Sequence, residues 1–214
     1  MTRMIFIRHG QSMGNLEARF YGNWDGPLTD LGRAQAAKTA EYLRDWKIDA
    51  AYGSDLCRAY ETGTIIAAPH NLAVTPDKGL REIFAGEWED RPFEELPRLY
   101  SEDFDTWLHD LWHARPTGGE SVRELAERVR TEVWRIASLH DGQTVLIATH
   151  ATPIRTLICE WKGEPYEKIQ QLGWVGNASV SVVDYDNERH RTQLVMLGED
   201  SFLGDMATTL PKSV

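Results

Sequence analysis

The sequence predicts an α/β protein: a three-layer α/β/α sandwich around a mostly parallel central sheet, in a single domain of residues 1–214. Three observations carry that expectation. Short apolar runs alternate with longer segments of helical periodicity. The first run has no polar alternation, which suits a strand buried on both faces. No repeat and no low-complexity linker interrupts the order.

The first run, 4–7 (MIFI), is branched and aromatic and reads as a buried strand. Residues 29–46 read as a helix with Thr29 as its cap and an alanine-rich body. A short strand over 49–54 ends at Gly53-Ser54, and a helix over 55–67 stops before Pro69. Residues 73–76 make a further short strand. Residues 119–139 form the clearest helix, because Val122, Leu125, Val129, Val133 and Ile136 share one face, and Ser121 and Glu124 have capping-box spacing. Residues 144–149 (TVLIAT) form the strongest strand, followed by His150 and a helix from Pro153 to Glu160. Two late strands, 178–185 and 192–197, are joined by the polar turn Asp186-Asn187-Glu188, which allows an antiparallel pair. Residues 83–118 break the alternation. They carry Phe84, Trp88, Phe93, Tyr100, Phe104, Trp107 and Trp112, and read as an insertion. The tail after Leu203 is small and polar, which predicts loose attachment.

Composition narrows the function. The chain is 42% hydrophobic and 26% charged, ordinary for a globular protein, with a net charge of −10. Such an acidic balance disfavours nucleic acid and anionic membranes as partners. No run approaches the roughly 18 apolar residues of a membrane span. Two cysteines, Cys57 and Cys159, suit a reducing compartment rather than a disulfide scaffold. The opening apolar stretch is too short for a signal peptide before Arg8 ends it, so the expected location is cytoplasmic.

In parallel sheets, ligands bind beyond the carboxyl ends of the strands. Those ends carry Arg8-His9-Gly10, then Arg58 in the first turn of a helix, then His150. Taken singly, these are ordinary residues: a solvated loop, a surface arginine, a core histidine. Together they bring two arginines and two histidines to one edge of an acidic protein. A compact cationic pocket suits a small, highly charged anion, and arginine forks match phosphate.

Six stretches now form an ordered set: RHGQSMGN (8–15), PLTDLGRAQA (27–36), SDLCRAYET (54–62), LREIFAGEWED (80–90), GGES (118–121) and ATHATPIR (148–155). This set resembles the histidine phosphatase superfamily, the phosphoglycerate-mutase-like family, over residues 3–185. The resemblance implies that His9 is the nucleophile and forms a phosphohistidine. It implies that Arg8, Arg58 and His150 hold the phosphate, that Asn15 is a further pocket residue, and that Glu82 donates a proton to the leaving oxygen. Gly10, Ser12, Tyr21, Gly22 and Ala151 are grouped with them as candidate phosphate- or substrate-binding residues.

The chemistry agrees with these roles. The attacking imidazole nitrogen must be unprotonated, so the other nitrogen needs a fixed acceptor such as a backbone carbonyl. Arginines stabilise the charge that develops on the transferring group, so no metal or other cofactor is required. After phosphohistidine forms, the same Glu82 carboxylate can activate water.

Two departures from the family pattern matter. Asp90 stands where many members have glycine, and Ala151-Thr152 follows the second histidine where glycine is common. The pattern after Glu82 is closer to phosphatases than to mutases, and the expected function is a metal-independent phosphomonoesterase acting on small phosphorylated metabolites. A mutase-type phosphoryl transfer and an inactive phosphate-binding protein are the alternatives. His109 and His113 have the spacing of two metal ligands on one helix face, but no third ligand stands nearby and the plainer reading is a solvated pair. Cys57 is expected to point away from the pocket. Residues 83–118 are expected to cap it and to set specificity for fairly hydrophobic or varied esters. A homodimer is left open.

Overall fold

A computed structural model describes residues 1–208. In chain order the elements are β1 (Thr2–Arg8), α1 (Met13–Leu16), β2 (Arg19–Phe20), α2 (Asp30–Tyr42), β3 (Ala50–Gly53), α3 (Cys57–Ala67) and β4 (Val74–Pro76). The insertion follows with β5 (Arg91–Pro92), α4 (Leu96–Leu99) and α5 (Ser101–His109). The chain then runs through α6 (Val122–Leu139), β6 (Thr144–Thr149), α7 (Ala151–Lys162), β7 (Val180–Asp186) and β8 (Arg191–Glu199).

Six strands make one sheet in the order β4-β3-β6-β1-β7-β8. The first four are parallel. β7 runs antiparallel to β1, and β8 antiparallel to β7. β1 is central, and its side chains alternate between two cores. Met4 and Phe6 pack with α6 and α7, while Ile5 and Ile7 pack with α2 and α3. All four are fully buried. That burial on both faces is why the run reads as continuous rather than alternating. The result is the three-layer sandwich the sequence predicts.

Local signals behave as expected at several points. Thr29 caps α2 by accepting from the Gly32 amide at 3.0 Å. Ser121 and Glu124 form a reciprocal capping box on α6, and the five apolar residues of its periodic face are all buried. Two ends differ. α2 stops at Tyr42, and the next residues turn back, with Trp46 packed on the Tyr42 ring. α7 begins at Ala151, two residues before Pro153. A proline in the first turn lacks only an amide that has no intrahelical acceptor, so it does not delay the helix.

The insertion is anchored by a two-residue ribbon that pairs β2 with β5. Phe20 of β2 meets Trp88, Phe93 and Trp107 at centroid distances of 5.2–5.5 Å. Trp88, Phe104 and Trp107 are buried, so much of the aromatic content packs the insertion onto the sheet. Phe84 is exposed.

The tail after Leu203 is docked through Thr208, against expectation. Ser201–Met206 forms a 3-10 turn, Phe202 stacks on Tyr42, and Leu203 is buried. Gln35 Nε2 donates to the Met206 carbonyl at 2.7 Å, and Thr208 Oγ1 donates to Asn177. The anchors lie on other elements, which is why the tail's own composition does not reveal them. Residues 209–214 lie outside the described residues. Among the described residues no helix is long and apolar enough to cross a membrane.

Gly32 shows how tightly α2 approaches the first loop. A Cβ at Gly32 would sit 2.1 Å from the Gln11 carbonyl, and one at Gly10 would sit 2.3 Å from the Gly32 carbonyl. Both neighbours are backbone, so neither yields cheaply. Gly32→Ala should therefore cost about 2 kcal/mol in urea unfolding despite alanine's better helix propensity. A stability gain would refute the close-approach argument.

Candidate active site

The site is assembled by register. β1 and β6 are parallel neighbours with Arg8 opposite Thr149, so His9 and His150 emerge side by side. Their ring centroids are 5.2 Å apart. The backbone reinforces this, because the His9 amide donates to the Thr149 carbonyl at 2.9 Å.

His9 Nδ1 lies 2.7 Å from the Gly10 carbonyl. A carbonyl can only accept, so Nδ1 carries the proton and Nε2 keeps its lone pair. Burial, then Arg58 and Arg8, push the His9 pKa well below its ordinary value. The ring is neutral at neutral pH. His150 is buried beside it, with Nε2 2.8 Å from Ser54 Oγ and its pKa likewise lowered, first by burial and next by Arg58. Its Nδ1 is buried with no protein partner among the described residues.

Two guanidiniums flank this pair. Arg8 is 1% exposed and donates to the Val175 carbonyl at 2.7 Å. Arg58, 2% exposed, donates to the Gly22 and Trp24 carbonyls at 2.7 and 2.9 Å. These partners are carbonyls rather than carboxylates; neither guanidinium forms a direct ion pair, and the opposite charge that acts most on both is Glu82. Burial lowers the Arg8 pKa to about 10, which leaves it cationic at neutral pH. Glu82 faces them from the segment after Leu80. Its Oε1 accepts from the Ile83 amide at 2.9 Å, and its Oε2 from the Thr152 amide at 3.3 Å. Thr152 is in the first turn of α7, where amides lack helical acceptors and so are available to the Glu82 side chain.

Arg8, His9, Ser12, Asn15, Tyr21, Arg58, Glu82 and Ala151 line one cavity. Ser12 caps α1, and Asn15 Oδ1 accepts from Ser12 and Asn177, which leaves the Asn15 amino group for the cavity. Tyr21 is sandwiched between Gly14 and Gly26, where any Cβ would meet its ring at 2.6 and 2.1 Å. Gly10 and Gly22 sit behind the wall: their carbonyls hold His9 and Arg58.

Several contributors were missed from sequence. Ser54 holds His150, and Trp174 and Thr152 line the cavity. Asn177 donates to the His9 carbonyl at 2.9 Å. Glu89 accepts from the Ala85 and Asn23 amides and so pins the loop whose carbonyls hold Arg58. Asp90, in place of the family's glycine, adopts φ +56°, a left-handed conformation that aspartate tolerates better than most residues. Cys57 lies outside the cavity lining, with Sγ 3.1 Å from the Gly26 carbonyl and a pKa raised to about 11, first by burial. His109 ends α5 whereas His113 lies beyond it in a separate turn, and each faces its own aspartate. They do not share a helix face.

A neutral, buried histidine between two buried arginines, with a carboxylate opposite, is the arrangement of a histidine-centred phosphoryl-transfer enzyme. The family model of the histidine phosphatase superfamily (branch 1) matches residues 4–198, and the chain belongs to that superfamily. Phosphoserine phosphatase 1 of Hydrogenobacter thermophilus is 31% identical over 214 residues, all of both chains. The structure of Bacillus stearothermophilus YhfR has a TM-score of 0.90 at 28% identity, covering 95% of this chain and all of its own. Mycobacterial glucosyl-3-phosphoglycerate phosphatase, solved with VO3, has a TM-score of 0.84 at 29% identity, covering 92% and 99%.

The two depressed histidines make stability depend on pH. Below pH about 6.5 the unfolded chain protonates both rings and the folded chain does not, so stability falls as pH falls through that value. Between pH 6.5 and 5, each such group adds at most about 1.4 kcal/mol per pH unit to the slope. Urea unfolding of His9→Gln should show a shallower loss over this window than the parent. An identical slope would mean that His9 is charged in the folded state.

Proposed function

We propose that the protein is a phosphomonoesterase that hydrolyses small phosphorylated metabolites through a phosphohistidine on His9. The observation that carries this is the Nδ1 bond to the Gly10 carbonyl, which leaves Nε2 unprotonated beside two buried arginines that form no direct ion pair.

In the first step Nε2 of His9 forms a bond to phosphorus while the ester P–O bond breaks. Glu82 gives its proton to the departing alcohol oxygen. Arg8 and Arg58 hold the equatorial oxygens, where charge spreads during transfer, and His150, packed against the His9 ring, keeps an unpartnered Nδ1 to serve the same group. In the second step Glu82 takes a proton from water. The hydroxide attacks phosphorus, the N–P bond breaks, and phosphate leaves with His9 neutral again. The guanidiniums supply the positive charge, so neither step calls on a metal.

Around the alcohol, Phe93 and Trp107 of the 83–118 insertion line the cavity with Phe20 and Trp174. This supports a cap that favours apolar or varied alcohols. The named activities of the relatives differ in the alcohol and agree in the phosphate, which supports monoester hydrolysis more firmly than any one substrate. The two free cysteines fit a cytoplasmic setting.

His9→Ala should lose at least about 10³-fold in kcat and trap no acid-labile phosphoenzyme from labelled substrate. Label retained by His9→Ala would identify a different nucleophile. Glu82→Gln should slow alkyl phosphates by about 10²–10⁴-fold and nitrophenyl phosphate far less, because only the poor leaving group needs the proton. Equal losses would remove Glu82 from the acid role.

A further inference from the structure

Beyond the phosphate clamp, the cavity wall carries one more cation, Arg19, among the described residues. Arg19 lies on β2, opposite Pro92 in the ribbon and next to Phe20. A free arginine there would greet a second anionic group on the substrate. It is not free. Nη1 donates to the Asp90 carbonyl at 2.8 Å, and Nε lies 3.5 Å from both an Asp90 and a Glu17 carboxylate oxygen. One cation thus faces two carboxylates. The Tyr21 hydroxyl, in the cavity wall, is held above its ordinary pKa first by burial, then by Glu17 and Asp90, against the opposing pull of Arg19 and Arg58. Asp90 is also the residue that replaces the family's glycine, and it holds this position from a left-handed backbone that glycine would adopt without strain.

We propose that Asp90 and Glu17 withdraw Arg19 from the substrate, so that the cavity selects phosphate esters of uncharged alcohols and rejects those that carry a second anion. A carboxylate on the alcohol would meet an arginine already engaged, with two like charges just behind it and outside the cavity lining. This rests on the phosphomonoesterase reading and narrows it to a substrate class. Asp90 and Glu17 act through Arg19 and through their field, so they are positioning residues.

Glycerol 3-phosphate and 3-phosphoglycerate are close in size and differ in the second anion, which makes them the probes. At low salt the parent should favour glycerol 3-phosphate in kcat/KM. Asp90→Asn and Glu17→Gln should each shift the ratio toward the glycerate by about threefold, and the double variant by roughly tenfold, mainly through the glycerate KM. Asp90→Gly, which suits the backbone, should match Asp90→Asn. The shift should shrink in about 0.5 M salt, and adding Arg19→Met to the double variant should abolish it. Ratios that stay within twofold of the parent in active variants would overturn the proposal, as would a parent that prefers the glycerate. Failure to hydrolyse either ester, or any aryl phosphate, would instead sink the phosphatase reading and this one with it.

Discussion

Two buried guanidiniums held by main-chain carbonyls are the constraint on which the rest depends. An arginine paired with a carboxylate would be electrically satisfied and of little use to an anion. Here Val175, Gly22 and Trp24 fix the direction of Arg8 and Arg58 without cancelling their charge. Burying charge in this way is costly, and the fold accepts the cost where it concentrates positive potential beside histidines whose pKa values are lowered first by their own burial and then by the arginines. Much of the nearby architecture follows. Gly22 needs a left-handed turn to present its carbonyl, and a Cβ there would press on Ala85 and on Glu89, which braces the loop. Gly14 and Gly26 leave room for Tyr21, which lies under Arg58.

The central sheet, and the edge at which Arg8, His9 and His150 gather, were legible because they rest on local signals. A strand buried on both faces shows as a continuous apolar run, and its chemistry follows directly at its carboxyl end, as with β1 and Arg8-His9 or β6 and His150. Ser54 was legible by the same logic, since it closes β3, and was passed over because a lone serine after a glycine looks like a turn. Val175 and Asn177 are a different case. They precede β7, and β7 is antiparallel to β1, so its amino end falls at the edge where the parallel strands finish. Only the strand order puts them there, and nothing in the local sequence reports strand order.

The aromatic richness of 83–118 was legible, and its division of labour was not. Trp88 and Phe104 are core, Trp107 is both core and wall, and Phe84 is exposed. Composition alone treats them alike. Asp90 is the opposite kind of residue: its departure from the family pattern was visible at once, and only the backbone angle and the position of Arg19 give that departure a meaning. The docked tail was misjudged because its partners, Gln35 and Asn177, lie far away in sequence.

The antiparallel placement of β7 has a consequence for how the molecule comes into being. β1 is made first, yet its neighbours in the sheet are β6 and β7, which emerge about 140 and 180 residues later. The apolar run at 4–7 must therefore wait through most of synthesis without the strands that will cover its edges. The placement of the arginine pair waits as well, because Arg8 takes its direction from Val175. A ribosome-bound chain lacking the last quarter of the protein would hold every residue of the opening motif and still have no pocket in which to use them.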